Sequence, residues 1–289
     1  MKNRSIIYPV LILCFFVMLA SCKKTKQNEN SITFDSIVVS EHVQLLEVND
    51  TTLPHADVNI NFLYPKKFKS DEDLARLQQI FVGTFFSDVD NDNLSPQEAT
   101  DNFLAQYRED YKSLSNSYYE EAKRLPEGSS GPMWYWYYLN YNNKVLFQNN
   151  SLISYSVEQS TYTGGAHGSM RVTYTNIDLN ELVTISEEDI FVPNYQKSLA
   201  EIMVNKLMVE NDVTTPEGLV EKGFFNIEDI FPNNNFWLDD EGIHYAFNQY
   251  EIAPYVMGVI EVDIPYEDLK DILKAENVID KIFTKEKAQ

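Results

Sequence analysis

The stretch Tyr162-Thr163-Gly164-Gly165-Ala166-His167-Gly168-Ser169 interrupts a long run in which polar and apolar residues alternate. Two adjacent glycines, an alanine, a histidine and a further glycine call for a backbone that turns sharply or lets another segment come close. Alternation resumes on both sides, from Leu152 to Val157 and from Val172 to Leu179. The pattern predicts a β-hairpin whose corner is built from unusually small residues.

Upstream of the corner, Met133-Trp134-Tyr135-Trp136-Tyr137-Tyr138 is β-forming and densely aromatic. Two readings are open for it: exposed Trp134 and Trp136 that stack on sugar rings, or a core strand with aromatic residues on both faces, which is favoured. Asn142-Asn143 reads as a turn between this strand and the next. Pro126 to Pro132 ends a preceding helix that runs from a capping box, Ser95-Pro96-Gln97-Glu98, to about Arg124. Asp88, Asp90 and Asp92 resemble the opening of a calcium loop. Asn93 stands where that motif requires glycine and Ala99 where it requires the bidentate glutamate, so no metal is assigned. Ser70 ahead of Asp71-Glu72-Asp73 begins another helix, with Leu74, Leu77, Phe81 and Phe85 on one face. Ala56 to Phe62 alternates strictly, which predicts a half-buried antiparallel sheet beneath these helices.

Downstream, Ser186 with Asp189 reads as a helix cap and Asn194 to about Val209 as an amphipathic helix. Phe236 to Phe247 reads as a hairpin turned at Asp239-Asp240-Glu241-Gly242, Val259 to Ile264 as a last strand, and Pro265 as the opening of a terminal helix.

The amino terminus is laid out for export. Lys2 and Arg4 precede an apolar run from Ile6 to Ala20, and Leu19-Ala20-Ser21-Cys22 resembles a lipobox, which implies acylation of Cys22 after cleavage of residues 1–21. Cys14 and Cys22 are the two cysteines, so the chain beyond residue 22 has no thiol for a disulfide. Residues 22–30 form a linker whose polar part, the eight residues Lys23 to Asn30, spans at most roughly 26 Å. Lys23 directly after the cysteine resembles lipoproteins sent to the outer membrane of Gram-negative cells. Removing residues 1–21 takes away Lys2 and Arg4 and no acid, so the formal charge of −21 becomes −23. Such a surface excludes nucleic acid as a partner and favours cationic ones, although solubility alone also accounts for it.

Four histidines, at 42, 55, 167 and 244, show no metal-ligand spacing, and there is no nucleophile elbow, phosphate loop or dinucleotide fingerprint. No cofactor and no catalytic residue are assigned. Tyr162 to Gly168, Ile185-Ser186-Glu187-Glu188-Asp189-Ile190-Phe191, Tyr250-Glu251-Ile252-Ala253-Pro254-Tyr255 and Val262-Asp263-Ile264-Pro265-Tyr266 together resemble the domain of unknown function in the RsiV family. The segment from about Ile32 to Asn149 resembles the smaller module at the amino end of PdaC-type peptidoglycan deacetylases. The first resemblance implies lysozyme binding and sigma-factor control, the second implies a hold on cell-wall glycan. The chain shows no cytoplasmic anti-sigma segment and no deacetylase domain, so binding is the property that carries over.

The expected architecture is α+β: two modules of antiparallel sheet packed with helices, at 31–149 and 150–289. The expected function is that of a non-enzymatic envelope lipoprotein, held to the membrane by lipid alone, that binds peptidoglycan glycan or a lysozyme-like cationic protein. A glycan-active enzyme and a structural component of a membrane complex are the alternatives. The candidate binding surface is Gly164, Gly165, His167 and Tyr255, with Trp134 and Trp136.

Overall fold

The computed structural model describes residues 30–287 except 49, 51, 92, 127 and 130, and leaves the side chains of 284–287 aside. The expected signal peptide, the acylated Cys22, the linker up to residue 29 and the Asp92 position of the calcium-like loop lie outside the described residues. No helix among the described residues is long and apolar enough to cross a membrane.

The fold is α+β, and the described residues form one sheet of six strands and one of three. The large sheet comprises β1 (Thr33–Gln44), β2 (His55–Lys67), β3 (Tyr137–Gln148), β4 (Leu152–Tyr162), β5 (Ser169–Asp178) and the short β6 (Val183–Thr184), neighbours in that order. The alternation of Ala56, Val58, Ile60 and Phe62 becomes burial, since all four face the core. α1 (Asp71–Phe86) covers that face. Ser70 caps it by accepting from the Asp73 amide, and Leu77, Phe81 and Phe85 point inward. Phe81 stacks on Tyr155 at 4.3 Å and Phe85 on Phe62 at 4.4 Å, the geometry in which aromatic quadrupoles pack well.

Several local expectations are corrected. β2 and β3 are parallel, because the chain between them is occupied by α1, α2 (Pro96–Ser113) and α3 (Ser115–Ala122), a crossover that returns it in the same direction. The long helix expected to run to Arg124 breaks at Leu114, where the Ser113 hydroxyl donates to the Asp110 carbonyl and tightens the turn. Asn142-Asn143 is not a turn. Both residues lie inside β3, and Asn143 exchanges side-chain hydrogen bonds with the backbone of Leu63. The aromatic strand begins only at Tyr137, since Met133–Tyr135 is a 3-10 turn. One continuous sheet includes the hairpin between β3 and β4, in which residues 149 and 150 lie; the first hydrophobic core runs as far as Leu182, and the second takes Leu152 of β4 together with residues from Ile185 onward.

The second core gathers α4 (Glu187–Ile190), α5 (Gln196–Glu210), α6 (Pro216–Glu221) and the small sheet β7 (Phe236–Leu238), β8 (Gly242–Phe247) and β9 (Ile260–Pro265). Pro265 ends β9 and a 3-10 turn follows. The terminal helix, α7, spans Val278–Lys287. Buried Glu187 ties this core together: it accepts from the Tyr195 hydroxyl at 2.6 Å and the Asn234 amide at 2.7 Å, while burial raises its pKa.

Amide side chains join the two sheets. The free edge of β5 would otherwise leave backbone groups unpaired. Instead Met170 N–H donates to Gln249, Val172 N–H to Asn248 and Tyr174 N–H to Asn235, while Asn248 and Asn235 donate back to the Val172 carbonyl. Asn176 and Ser154 extend the pattern to the backbone of Phe236 and Leu238. The small sheet is thereby clamped over β4 and β5, on the face opposite α1. Over β1 to β3 that outer face stays open, with Val38, Ser40, Asn59 and Asn61 exposed.

Candidate functional site

The small-residue corner is a hairpin between β4 and β5, as the sequence pattern predicts. Gly164 has φ of +88° and Gly165 of +106°, a region that side-chain-bearing residues rarely adopt. Gly164 lies so close to the loop before β3 that a Cβ there would stand 2.8 Å from the carbonyl oxygen of Trp134. The corner closes on itself through the Tyr162 hydroxyl, which donates to the Gly165 carbonyl at 2.9 Å.

Beyond the corner His167 is exposed but held. Its Nδ1 lies 2.8 Å from the Gly168 carbonyl, which only accepts, so Nδ1 carries the proton. Nε2 then accepts from the Tyr250 hydroxyl at 3.1 Å. The ring is stacked face to face on Tyr255, 3.9 Å between centroids and 9° apart in plane. Gln249 steadies that loop by donating to the Tyr255 carbonyl while it pairs with β5. With both ring nitrogens engaged and its face on Tyr255, the His167 ring is fixed in orientation and forms part of an aromatic surface.

Tyr250 (55% exposed), Tyr255 (41%) and Trp134 (47%) present their rings to solvent. The Trp134 indole donates to Glu121 at 2.8 Å, and the Tyr135 hydroxyl donates to the same carboxylate at 3.1 Å. Backbone contact at Gly164 places Trp134 beside the corner. Gly164, Gly165, His167, Tyr255 and Trp134 therefore share one end of the molecule, drawn from both cores. Trp136 does not share the strand expected for it: it is half-buried and marks the step from the 3-10 turn into β3.

Across the open outer face, strand pairing aligns His42, Asp57, Tyr138 and Tyr162 in one row. The next row is Ser40, Asn59, Asn140 and Ser160, in which Ser40 donates to Asn59 and Asn59 to Asn140, each at 2.9 Å. Lys144 meets Glu158 at 3.1 Å two rows further on. The face thus pairs amide and hydroxyl groups with aromatic rings at its corner end, a surface suited to ring stacking and hydroxyl hydrogen bonds. The opposite end carries Asn30, which donates to the Asn150 carbonyl at 2.6 Å and to the Asn180 side chain.

Sequence reasoning did not single out Tyr250, Gln249 and Glu121. Tyr250 lies in a quoted motif, but its partnership with His167 spans 83 residues of chain, which no local pattern reveals. A second histidine stack lies in the small sheet, where His244 sits on Trp237 at 3.9 Å between Asp263 and Asp239.

An α+β protein with this pair of sheets has known relatives. The profile of the DUF3298 family, described as a protein of unknown function, matches residues 188–267, and that of deacetylase PdaC matches residues 85–170. A crystal structure of a DUF3298 family member from Bacteroides fragilis superposes with a TM-score of 0.81 at 32% identity, covering 89% of this chain and all of that one. The chain belongs to the DUF3298 family. A DUF3298 family protein from Pseudomonas aeruginosa shares the fold, with a TM-score of 0.56 at 19% identity over 86% of this chain and 97% of that one. The peptidoglycan-N-acetylmuramic acid deacetylase PdaC of Bacillus subtilis is 28% identical over 151 residues, 52% of this chain and 32% of the enzyme. The chain thus spans about a third of that relative's length.

Proposed function

We propose that this protein is a non-enzymatic cell-envelope lipoprotein, acylated at Cys22, whose outer sheet face binds peptidoglycan glycan. The observation that carries the reading is the rigid stack of His167 on Tyr255, flanked by exposed Tyr250 and Trp134 and continuous with an amide-lined face. Sugar rings present an apolar face that stacks on such aromatics, and the N-acetyl and hydroxyl groups match asparagine side chains. Similarity to a peptidoglycan deacetylase supports the same ligand class. Asn30 leaves the fold at the Asn150 end of β4, whereas the stack lies beyond its Tyr162 end. Eleven strand residues separate them by roughly 36 Å, so a chain tethered at Cys22 holds this surface away from the membrane.

A second reading, capture of a lysozyme-like cationic protein, is favoured by the net charge of −21 and by the resemblance to the RsiV family. Co-sedimentation of the protein with purified peptidoglycan across a salt series separates the two. Glycan recognition persists at high salt, because stacking and neutral hydrogen bonds are not screened. Capture of a basic protein weakens steeply with salt. A protein that stays in the supernatant at every salt concentration refutes the glycan reading.

A further inference from the structure

We infer that His42, His55 and Asp57 form a binding site for one divalent transition-metal ion of the zinc class, with a coordination position left open toward solvent. The three ligating atoms lie within 4.8 Å of one another. The β1/β2 register creates the grouping: His42 is paired directly with Asp57, and His55, two residues earlier on β2, shares its face. His42 Nδ1 is 2.5 Å from Asp57 Oδ1, and His55 Nε2 is 3.6 Å from the same oxygen. A zinc ion with ligands at about 2.0–2.1 Å in tetrahedral geometry separates its donor atoms by roughly 3.3 Å, and these distances straddle that value. The two imidazoles meet edge to face, 5.6 Å apart at 83°.

The state of His55 sharpens the case. Its Nδ1 lies 3.2 Å from the Leu53 carbonyl, which can only accept, so that nitrogen is the donor. Nε2 is then the nitrogen turned toward the Asp57 carboxylate, 3.6 Å away, and the one by which this ring would ligate an ion. A ligating imidazole whose other nitrogen is fixed by a backbone carbonyl is the arrangement that supports metal ligation. Two imidazoles and one carboxylate suit zinc, nickel, copper or cobalt and do not suit calcium or magnesium, which take oxygen donors. The strongly negative chain adds to cation attraction. His42 is 74% exposed at its side chain, so exchanging its direct contact with Asp57 for an ion needs only a turn of the ring and leaves room for water or a ligand group.

The site stands in the row that continues to Tyr138 and Tyr162, on the open face and at the corner end. A ligand oxygen at the open position would lie one or two strand spacings, about 5–10 Å, from those rings.

The test is titration of the purified protein, free of any affinity histidine tag, with Zn²⁺ against a chromophoric chelator and with Co²⁺ by visible absorption. One ion per chain is expected, with a tetrahedral cobalt spectrum and no competition from excess Mg²⁺ or Ca²⁺. His42→Ala and Asp57→Asn, both at solvent-facing positions, should weaken binding at least about tenfold while leaving circular dichroism unchanged. His167→Ala should leave it intact. Absence of binding above the chelator, or binding that survives both variants, overturns the assignment. Because the readout is metal occupancy, the result is independent of whether peptidoglycan binds.

Discussion

Replacing Gly164 by alanine should cost far more than the same change one residue later. Both glycines have positive φ, +88° and +106°, so either alanine carries backbone strain of about 1–3 kcal/mol. Their surroundings differ. At Gly165 an added Cβ meets open space, whereas at Gly164 it would sit 2.8 Å from the Trp134 carbonyl oxygen and 3.6 Å from the Trp134 Cβ. A backbone oxygen cannot swing aside like a side-chain tip, so the 133–136 turn and the corner must separate. We expect about 1–2 kcal/mol for Gly165→Ala and about 3–4 kcal/mol for Gly164→Ala, the excess coming from overpacking. Urea denaturation followed by far-ultraviolet circular dichroism measures both, and tryptophan fluorescence reports whether Trp134 shifts. Equal losses for the two variants, or a Gly164→Ala loss below about 0.5 kcal/mol, would show that the corner is not held by this contact.

Tyr255→Ala and His167→Ala should each reduce peptidoglycan co-sedimentation severalfold at high salt with little loss of stability, since both side chains are exposed; unchanged sedimentation in both would move the binding surface elsewhere. Asn176→Ala leaves the Phe236 carbonyl without its Asn176 donor and the buried Leu238 amide with only its longer bond to the Ser154 hydroxyl and should cost about 1–3 kcal/mol in urea denaturation, against about 0.5 kcal/mol or less for exposed Asn61→Ala. Burial raises the Glu187 pKa above its ordinary 4.5, so the folded state binds the proton more tightly than the unfolded chain. Stability from this group is complete below that ordinary value and declines as pH rises through the raised one. Glu187→Gln should therefore show a flatter pH profile, gaining on the native protein as pH rises. Parallel profiles would place the titration elsewhere.

Local patterns carried far into the tertiary structure where one short segment decides its own conformation. The capping boxes Ser95/Glu98 and Ser186/Asp189, the burial of Ala56, Val58, Ile60 and Phe62, and the Gly164-Gly165 turn all follow from spacing that a few residues contain. Legibility failed where a distant partner intervened. Trp134 and Trp136 read as one strand, but Glu121 of α3 and the close approach of Gly164 hold Trp134 in a turn. Asn142-Asn143 reads as a turn by composition. Asn142 is paired with β2 and β4, and Asn143 with β4 by its backbone and with Leu63 of β2 by its side chain, so both gain more hydrogen bonds in β3 than a turn would supply.

By itself, then, the sequence determined the α+β class, the corner at Gly164 and His167 as a candidate, since each depends on residue types within one turn or one strand. Tertiary structure decided the parallel β2/β3 pairing, the amide clamp on β5, the union of His167 with Tyr250 and Tyr255, and the meeting of His42 with His55 and Asp57. His42 and His55 have no metal-ligand spacing along the chain, yet an antiparallel register sets residues from opposite ends of a hairpin side by side. Contacts of that kind depend on which strands pair and in what register, and those are set by the burial of the whole core.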